Sequence, residues 1–351
     1  MESKREIKYP ESDARTVFSA LPEGAIVDIL KLTTPRDTCR LSAVASVFLS
    51  AAESDSLWES FLPPDYLEIV SRSSESSSRL DFSTKKELFF SLCDSPLLID
   101  GGRRKNLNFV NISQSFWLEK QSGKKCYMLA ARELSITWGD TPEYWTWTSI
   151  PESRFSEVAF LNEVCWFEVK GKIDTDMLSL RTKYAAYLVF DRRDSYGFEN
   201  VEVKSSVGII GSEATENIIY LDKDASEEED TEDELVSIQN VRSWINDTLT
   251  QLYSSQEPDK ELVSFEDVRT WMNKNIFQLH SSHEPQEPGV STKGDGPYPN
   301  MRKDAWVEIE LGEFFNEGGG NKELEIAIKQ FDGHWKQGLI IEGIEIRPKN
   351  D

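Results

Sequence analysis

The chain has 351 residues and a formal net charge of −23, and 38% of its residues are hydrophobic. This length suffices for two or three domains, but the hydrophobic content is low enough that we expect part of the chain to stay unpacked. The negative charge repels phosphate groups, so we expect neither a nucleic acid nor an anionic membrane surface as a partner.

Cysteine and histidine usage argues against a metal site and a disulfide framework, and we expect no cofactor. No CxxC pair occurs among the four cysteines, which are Cys39, Cys93, Cys126 and Cys165. The close histidines His280 and His283 have no third ligand nearby. Neither a signal peptide nor a run of about 18 apolar residues is present, so we expect no membrane association and a location in the cytoplasm or the nucleus.

Residues 1–16 are polar and predicted to be flexible, and residues 17–62 have a helical pattern. Leu21-Pro22 opens the first helix, and further apolar residues recur at three- and four-residue steps as far as Leu62. About 45 residues bury too little surface for an independent core, so we expect another chain or the next segment to cover part of this module. Residues 63–124 are predicted to be a linker with a short helix around 88–92 and extended stretches.

From residue 125 to residue 351 the pattern indicates strands. Short β-rich runs occur at 126–131, 134–137, 144–150, 155–161, 165–173, 185–190, 306–311, 324–328 and 339–346. Many short alternating strands without long helices between them are typical of an antiparallel β-sandwich. The predicted fold class is therefore α+β and multidomain, with a small all-α module followed by this sandwich.

Residues 222–299 differ in composition from the strands around them. Nine of the thirteen residues from 222 to 234 are acidic, and residues 281–299 are rich in Pro, Gly, Ser and His. We interpret this segment as a long, acidic, partly disordered loop inserted between strands. An amphipathic stripe from Val241 to Leu252 leaves a regulatory or partner-binding helix as the alternative.

The stretch from Ser135 to Trp147 carries four large aromatic residues and two carboxylates. Its Gly-Asp-Thr-Pro centre predicts a hairpin-like bend, and strand alternation places Trp145 and Trp147 on one face. A Trp with an apolar body and one N–H donor suits the C–H face of a sugar whose hydroxyl groups bond to carboxylates. The same residues also suit the core of a sandwich, and residue types alone leave both interpretations open.

The helical segment has a series of fixed points, namely Leu21-Pro22, Ile26, Pro35, Asp37, Val44 to Phe48 and Ser54 to Trp58. In this order and spacing it resembles an F-box, the module that docks on the Skp-type adaptor of an SCF ubiquitin ligase. The resemblance implies a helix-in-groove interface. Its candidate apolar anchors are Leu21, Pro22, Ile26, Ile29, Leu30, Pro35 and Trp58. A plain three-helix bundle whose apolar stripe is only core is the alternative.

A second resemblance rests on residues 130–138, 144–147, 184–190, 306–315 and 343–348. They are similar to the plant phloem-lectin (Nictaba-like) family, which implies a jelly-roll-like lectin fold that binds N-glycans or N-acetylglucosamine-type sugars. The family's sugar-binding residues correspond to Trp138, Trp145, Glu323 and Gln330. Gln330 stands where the family has a second acidic residue, and it can still bond a hydroxyl group but carries no charge.

Together the two resemblances predict the substrate-recognition subunit of an SCF complex. Its partners would be the Skp-type adaptor, the cullin and a target protein or N-glycan, and proximity would replace catalysis. A carbohydrate-binding lectin or a protein-binding sandwich without a ligase role is the alternative. A glycosidase is disfavoured because no spacing singles out a catalytic carboxylate pair.

Overall fold

The computed structural model describes residues 21–73, 82–100, 112–192, 195–212, 214–222, 297–318 and 320–349. Helices come first in the chain: α1 (Glu23–Lys31), α2 (Pro35–Ser42), α3 (Ser46–Ala52), α4 (Asp55–Phe61), α5 (Tyr66–Ser71) and α6 (Lys85–Asp94). Helix α2 shows why the local sequence starts a helix, since Thr34 Oγ1 accepts a hydrogen bond from the Asp37 N–H at 3.1 Å and Pro35 occupies the first turn.

Strands follow the helices and pair in antiparallel ladders. They are β1 (Leu97–Asp100), β2 (Ile112–Leu118), β3 (Lys125–Ala130), β4 (Ser135–Ile136), β5 (Trp145–Thr148), β6 (Val158–Leu161), β7 (Phe167–Asp174), β8 (Thr182–Asp191), β9 (Val203–Ile209), β10 (Thr215–Ile219), β11 (Asn300–Met301), β12 (Val307–Asn316), β13 (Glu323–Gln330) and β14 (Ile340–Pro348). The expected helical module followed by an antiparallel sheet domain is thus confirmed.

The strands form two sheets. The nine-stranded sheet has the order β1-β2-β3-β14-β8-β12-β11, with β6 paired to β14 and β5 to β6. The five-stranded sheet has the order β10-β9-β13-β7-β4. Apolar residues of both sheets, such as Leu188 and Ile309 from the larger and Val169 and Ile326 from the smaller, belong to one buried cluster. The jelly-roll-like arrangement itself stays a prediction.

Residues 63–124 do more than link two domains. Strands β1 and β2 pair with each other, and β2 pairs with β3, so that this segment supplies one edge of the nine-stranded sheet. The sheet therefore begins at Leu97 rather than at the predicted boundary of residue 125. The predicted helix around residues 88–92 is present as α6, which places Leu88, Phe89 and Leu92 in the core.

The helical module and the sheet domain share a continuous core. Helices α1, α3 and α4 have a small cluster of their own, but Trp58 on α4 packs against Phe89 and Phe90 on α6, with ring centroids 5.3 and 5.2 Å away. Trp58 thereby joins the cluster that also contains Phe116 and Tyr127 of the sheet. As the sequence suggested, the next segment of the chain covers part of the short module.

Polar contacts reinforce the junction between the module and the sheet domain. The Arg36 guanidinium donates to Gln121 Oε1 at 2.7 Å, across from α2 to the β2–β3 turn. Lys125, at the start of β3, places its ammonium group 3.1 Å from the Asp65 carboxylate that precedes α5. These contacts tie both sides of the junction to the same end of β3.

Two predictions on the chain ends and the insert lie outside the described residues. These are the flexible segment 1–16 and, apart from its flanks, the inserted loop 222–299. At those flanks the Tyr220 N–H donates to the Pro297 carbonyl at 3.3 Å, and the Tyr220 and Tyr298 rings stack with centroids 5.3 Å apart. None of the helices in the described ranges is long and apolar enough to cross a bilayer.

Candidate functional site

Trp138 lies at a turn that leaves the five-stranded sheet. Strand β4 pairs with β7 for two residues, and the chain then turns at Trp138, whose φ of +60° is in the left-handed region. A residue other than glycine costs about 1–2 kcal/mol in that region, so its surroundings must hold it there. The side chain is 38% exposed. The turn thus presents an indole ring to solvent on a fixed backbone.

The predicted hairpin is not formed, because the two strands on either side of the turn join different sheets. Strand β4 pairs with β7 in the five-stranded sheet, whereas β5 pairs with β6 in the nine-stranded sheet. Trp138 therefore bridges the edges of two sheets rather than the two arms of one ribbon.

Hydrogen bonds from Trp145 and Trp147 hold this turn in place. The two residues share a face of β5, as alternation predicts, and each donates its indole N–H to the turn. Trp145 donates to the Thr137 carbonyl at 3.2 Å, and Trp147 donates to the Gly139 carbonyl at 2.8 Å. Trp145 is 2% exposed, and its expected contact with a sugar stays a prediction. Its position makes it a support for Trp138.

Two further side chains, Arg132 and Thr137, hold Trp147 and the turn in place. The Arg132 guanidinium lies over the Trp147 ring, 3.7 Å from its centroid, and its Nε donates to Glu157 Oε2 at 2.8 Å. Thr137 donates its N–H to the Glu168 carbonyl at 3.0 Å and its hydroxyl to Glu168 Oε2 at 2.9 Å. The hydrogen bond from the Lys170 ammonium lowers the pKa of Glu168, so this carboxylate stays an acceptor.

Trp138 belongs to a row of aromatic rings, which we call the aromatic row and define as Tyr144, Trp138, Trp166 and Phe331. Tyr144 is half-buried, and the other three are exposed. Ring centroids are 5.1 Å apart for Trp138 and Tyr144, 6.1 Å for Trp138 and Trp166, and 6.1 Å for Trp166 and Phe331. Trp166 and Phe331 are 53% and 51% exposed. Exposed large rings gathered at one place are typical of a binding surface.

Sequence reasoning missed Trp166 and Phe331, although a signal was present. Trp166 immediately precedes β7, where Phe167 is buried, so strict alternation points Trp166 outward. Phe331 immediately follows β13, whose last residue Gln330 pairs with Phe167. The register of two strands far apart in sequence brings the rings together, and no short stretch of sequence encodes it.

A short loop after β13 carries Phe331 and presents His334 and Trp335 to solvent. Lys336 at its end is fully buried, and its ammonium group donates to Asp332 Oδ1 and to the His334 carbonyl, both at 2.7 Å. Burial alone would raise the pKa of Asp332, but hydrogen bonds from Lys336 and His334 lower it well below its ordinary value. The ionised Asp332 thus fixes the conformation of the loop through these hydrogen bonds.

Gln330 anchors this loop instead of facing solvent. It is 7% exposed, and its Oε1 accepts the Asp332 N–H at 3.2 Å. Gln330 thus has a structural role in this loop, and its expected contact with a sugar stays a prediction. An uncharged amide suits this position, because burial of a carboxylate there would cost free energy.

Glu323 lies at the far end of the same strand from the aromatic row. It pairs with Asp174, whereas Gln330 pairs with Phe167, so seven residues of extended chain, about 23 Å, separate it from the row. Lys172 Nζ is 3.3 Å from its carboxylate. Of the four predicted sugar-binding residues, only Trp138 is exposed at the aromatic row.

The residues predicted to dock the adaptor divide into two groups. Ile26, Leu30, Pro35 and Trp58 are buried in the chain itself, and the Trp58 indole N–H donates to the Ala52 carbonyl. They pack inside the chain, and their expected role as adaptor anchors stays a prediction. Leu21, Pro22 and Ile29 are exposed, and further exposed apolar residues of the module are Leu32, Val44 and Leu49.

The described residues include no group of three or more side chains that could hold a metal ion. The arrangement provides exposed ring faces on a fixed backbone. Its chemistry is that of binding.

Comparison with known proteins identifies the family of the chain. The family model described as phloem protein 2 matches residues 124–348. Three Arabidopsis thaliana proteins are similar over nearly the whole chain. "F-box protein PP2-B1" is 40% identical over 95% of this chain and 90% of its own length, and "F-box protein PP2-B10" is 38% identical over 99% and 98%. "F-box protein SKIP3" is 34% identical over 95% and 89%.

Solved structures add no argument about the fold. A Podospora anserina GH26-CBM35 β-(1,4)-mannanase covers 64% of this chain and 28% of its own, with 7% identity and a TM-score of 0.27. The family model spans more than half of the chain and the relatives span nearly all of it. The chain is an F-box, lectin-like protein that belongs to the phloem protein 2 family.

Proposed function

We propose that this protein is the target-binding subunit of an SCF-type ubiquitin ligase. The observation that carries the proposal is the set of apolar side chains that the helical module leaves exposed: Leu21, Ile29, Leu32, Val44 and Leu49. Ile29 and Leu49 lie on short helices, and Leu21, Leu32 and Val44 lie in the turns beside them. Exposed apolar side chains gathered on a helical module suit a helix-in-groove interface with a Skp-type adaptor. Relatives of similar length are named F-box proteins, which supports the same assignment.

The sheet domain would hold the target at its aromatic row. The subunit itself performs no chemistry, because keeping a target near the ubiquitin-carrying enzyme raises its effective concentration. The adaptor would connect the chain to the cullin. We place this activity in the cytoplasm or the nucleus, where a fluorescent fusion of the full chain should appear.

Co-purification with a purified Skp-type adaptor tests the proposal. We expect the wild type to bind and the double variant Leu21→Ala/Ile29→Ala to bind at least tenfold more weakly, because interface anchors typically contribute 1 kcal/mol or more each. Leu67→Ala is the matched control, since Leu67 is an exposed leucine on α5, outside the module. A wild type that does not bind, or a double variant that binds equally well, would refute the adaptor role.

A carbohydrate-binding role without a ligase role is the second candidate. It is supported by the exposed Trp138 ring beside Tyr144, on a turn that is held before any ligand arrives. A glycan array with the full chain tests it. Binding should be lost in Trp138→Ala while the thermal midpoint stays unchanged, and an array without any bound glycan would rule this candidate out.

A further inference from the structure

We propose that the loop between β5 and β6, residues 149–157, opens and closes with the protonation of Glu342. The neutral carboxyl group of Glu342 keeps this loop closed over the nine-stranded sheet, and the ionised form releases it. The inference goes beyond the proposed function, because neither the helical module nor the aromatic row contains this carboxyl group.

The β5–β6 loop covers a second apolar cluster on the outer face of the nine-stranded sheet. Met128 on β3 and Val189 on β8 belong to this cluster. They alternate with residues of the main core, such as Leu129 and Leu188, so they point to the opposite face of the sheet. Phe155 of the loop is 4% exposed and packs into the cluster. Opening of the loop would therefore expose apolar surface to water.

Glu342 on β14 connects the sheet to the closed loop. Its Oε1 accepts hydrogen bonds from the Ser153 hydroxyl group at 3.1 Å and from the Arg154 N–H at 3.0 Å. The residue is 1% exposed. Its second oxygen, Oε2, is buried and has no hydrogen-bond partner among the described residues. A carboxylate at this position therefore lacks part of the hydrogen bonding that would stabilise its charge.

The charged groups around Glu342 do not compensate for its burial. Burial raises the pKa of Glu342, and the charge of Asp304 in the β11–β12 turn raises it further, whereas Arg154 lowers it. Arg154 Nε lies 3.8 Å from Glu342 Oε1. Arg302 is ion-paired with Asp304 at 3.2 Å and with Glu345, a further carboxylate of β14, at 3.1 Å. The balance keeps the pKa of Glu342 above its ordinary value.

The raised pKa determines the direction of the pH dependence. The closed loop binds the proton of Glu342 more tightly than the open loop, in which the carboxyl group is hydrated. Closure is therefore strongest below the ordinary pKa of glutamic acid, about 4.3, and weakens as the pH rises towards the raised pKa. Across that interval the equilibrium constant for opening increases about tenfold for each pH unit.

The β5–β6 loop also supports the turn that carries Trp138. Glu157 in the loop accepts the hydrogen bond from Arg132 Nε at 2.8 Å, and the Arg132 guanidinium lies over the Trp147 ring. Trp147 in turn donates its indole N–H to the Gly139 carbonyl. Because opening of the loop removes Glu157 from these contacts, we expect the turn to lose protection together with the loop.

Hydrogen–deuterium exchange of the full chain between pH 5 and pH 8 tests the inference, with rates corrected for intrinsic exchange at each pH. Four proteins are compared: the wild type, Glu342→Gln, Ser153→Ala and Glu152→Gln. Glutamine at position 342 keeps an oxygen acceptor and cannot ionise. Glu152→Gln is the matched control, because Glu152 is an exposed carboxylate on the same loop.

We expect the protection of residues 149–157 in the wild type to fall about tenfold or more from pH 5 to pH 8. Glu342→Gln should keep the same protection across this range, and Glu152→Gln should follow the wild type. Ser153→Ala removes a hydrogen bond that favours the carboxylate, so the fall should move to higher pH. Residues 137–141 should lose protection over the same range as the loop.

Wild-type protection that does not change with pH overturns the inference, and so does a pH dependence that Glu342→Gln retains. If Glu342→Gln does not fold, an unshifted pH profile in Ser153→Ala overturns it instead. Unchanged protection of residues 137–141 beside an opening loop overturns the link to the aromatic row. Neither the adaptor nor a glycan is present in these measurements, so the proposed function stands or falls separately.

Discussion

Replacing Trp58 by phenylalanine should destabilise the protein without removing a contact to the adaptor. The sequence pattern made Trp58 a docking anchor, but the structure buries it completely between the helical module and α6. Its ring lies within 5.7 Å of the Phe61, Phe89 and Phe90 ring centroids. Whether Trp58 is a core residue or a docking residue therefore has a measurable answer.

The size of the effect follows from two losses. Phenylalanine lacks the indole N–H, so the Ala52 carbonyl, 2.6 Å from it, loses its buried donor at a cost of about 1–3 kcal/mol. The smaller ring also leaves a cavity among three aromatic neighbours, which costs about 1 kcal/mol more. A total of roughly 2–4 kcal/mol corresponds to a fall of the thermal midpoint by about 6–12 °C.

The assay combines thermal or urea denaturation with adaptor binding below the midpoint. Trp58→Phe should unfold earlier and still bind the adaptor, whereas Ile29→Ala, at a 41% exposed position on α1, should change stability by less than about 0.5 kcal/mol and weaken binding. The opposite result, a Trp58→Phe protein with a wild-type midpoint that no longer binds, would refute the assignment of Trp58 to the core.

Three further predictions concern the loop, the junction and the insert. Asp332→Asn should lower stability at neutral pH and remove part of its pH dependence. The wild-type pKa is depressed by Lys336, so the pair stabilises the fold above about pH 4–5 and loses this contribution as pH falls, which denaturation from pH 7 to pH 3 will show. Gly123→Ala should cost about 1–3 kcal/mol in the same assay, because φ is +71° and a Cβ would lie 3.0 Å from the Phe61 carbonyl oxygen. Replacing residues 224–295 with a short Gly/Ser linker should leave the thermal midpoint of the sheet domain nearly unchanged, because the flanks are hydrogen-bonded to each other; a fall of several degrees would contradict this.

The sequence predicted the positions of individual strands better than it predicted which strands pair with each other. Alternation located β7 to within two residues, because this strand buries one face. Apolar residues also located β12, β13 and β14, although β14 is buried on both faces. It missed β9 and β10. In β9 an inward position is occupied by Ser205, which is buried because its hydroxyl donates to the Leu311 carbonyl at 2.7 Å. A polar residue can occupy a core position when its hydrogen bond is satisfied. The alternation of apolar and polar residues is then no longer visible in the sequence of the strand.

The candidate site was predictable only in part, for a physical reason. Residue types marked the stretch around Trp138 as either a binding edge or part of the core, and they placed a bend there. They could not separate Trp138 from Trp145, because both are tryptophans beside strands, and only tertiary packing decides which ring is covered. Glu323 and Gln330 are seven residues apart on one strand, so a strand of this length holds them apart and no loop brings them together.

The geometry of β7 links the two proposed activities. Its first residue, Phe167, lies beside the aromatic row, and beyond its last residue, Asp174, the chain passes Lys125, which is ion-paired with Asp65 at the helical module. An eight-residue strand spans about 25 Å, so a target on the row would sit at the end of the sheet domain opposite the module. Because Trp58 joins the helical module to the core of the sheets, we expect the two ends to keep a fixed separation. A rigid spacer keeps the effective concentration of a bound target high only if its length fits the gap to the transferring enzyme. The fixed separation, rather than either surface alone, would then determine which sites on a target can receive ubiquitin.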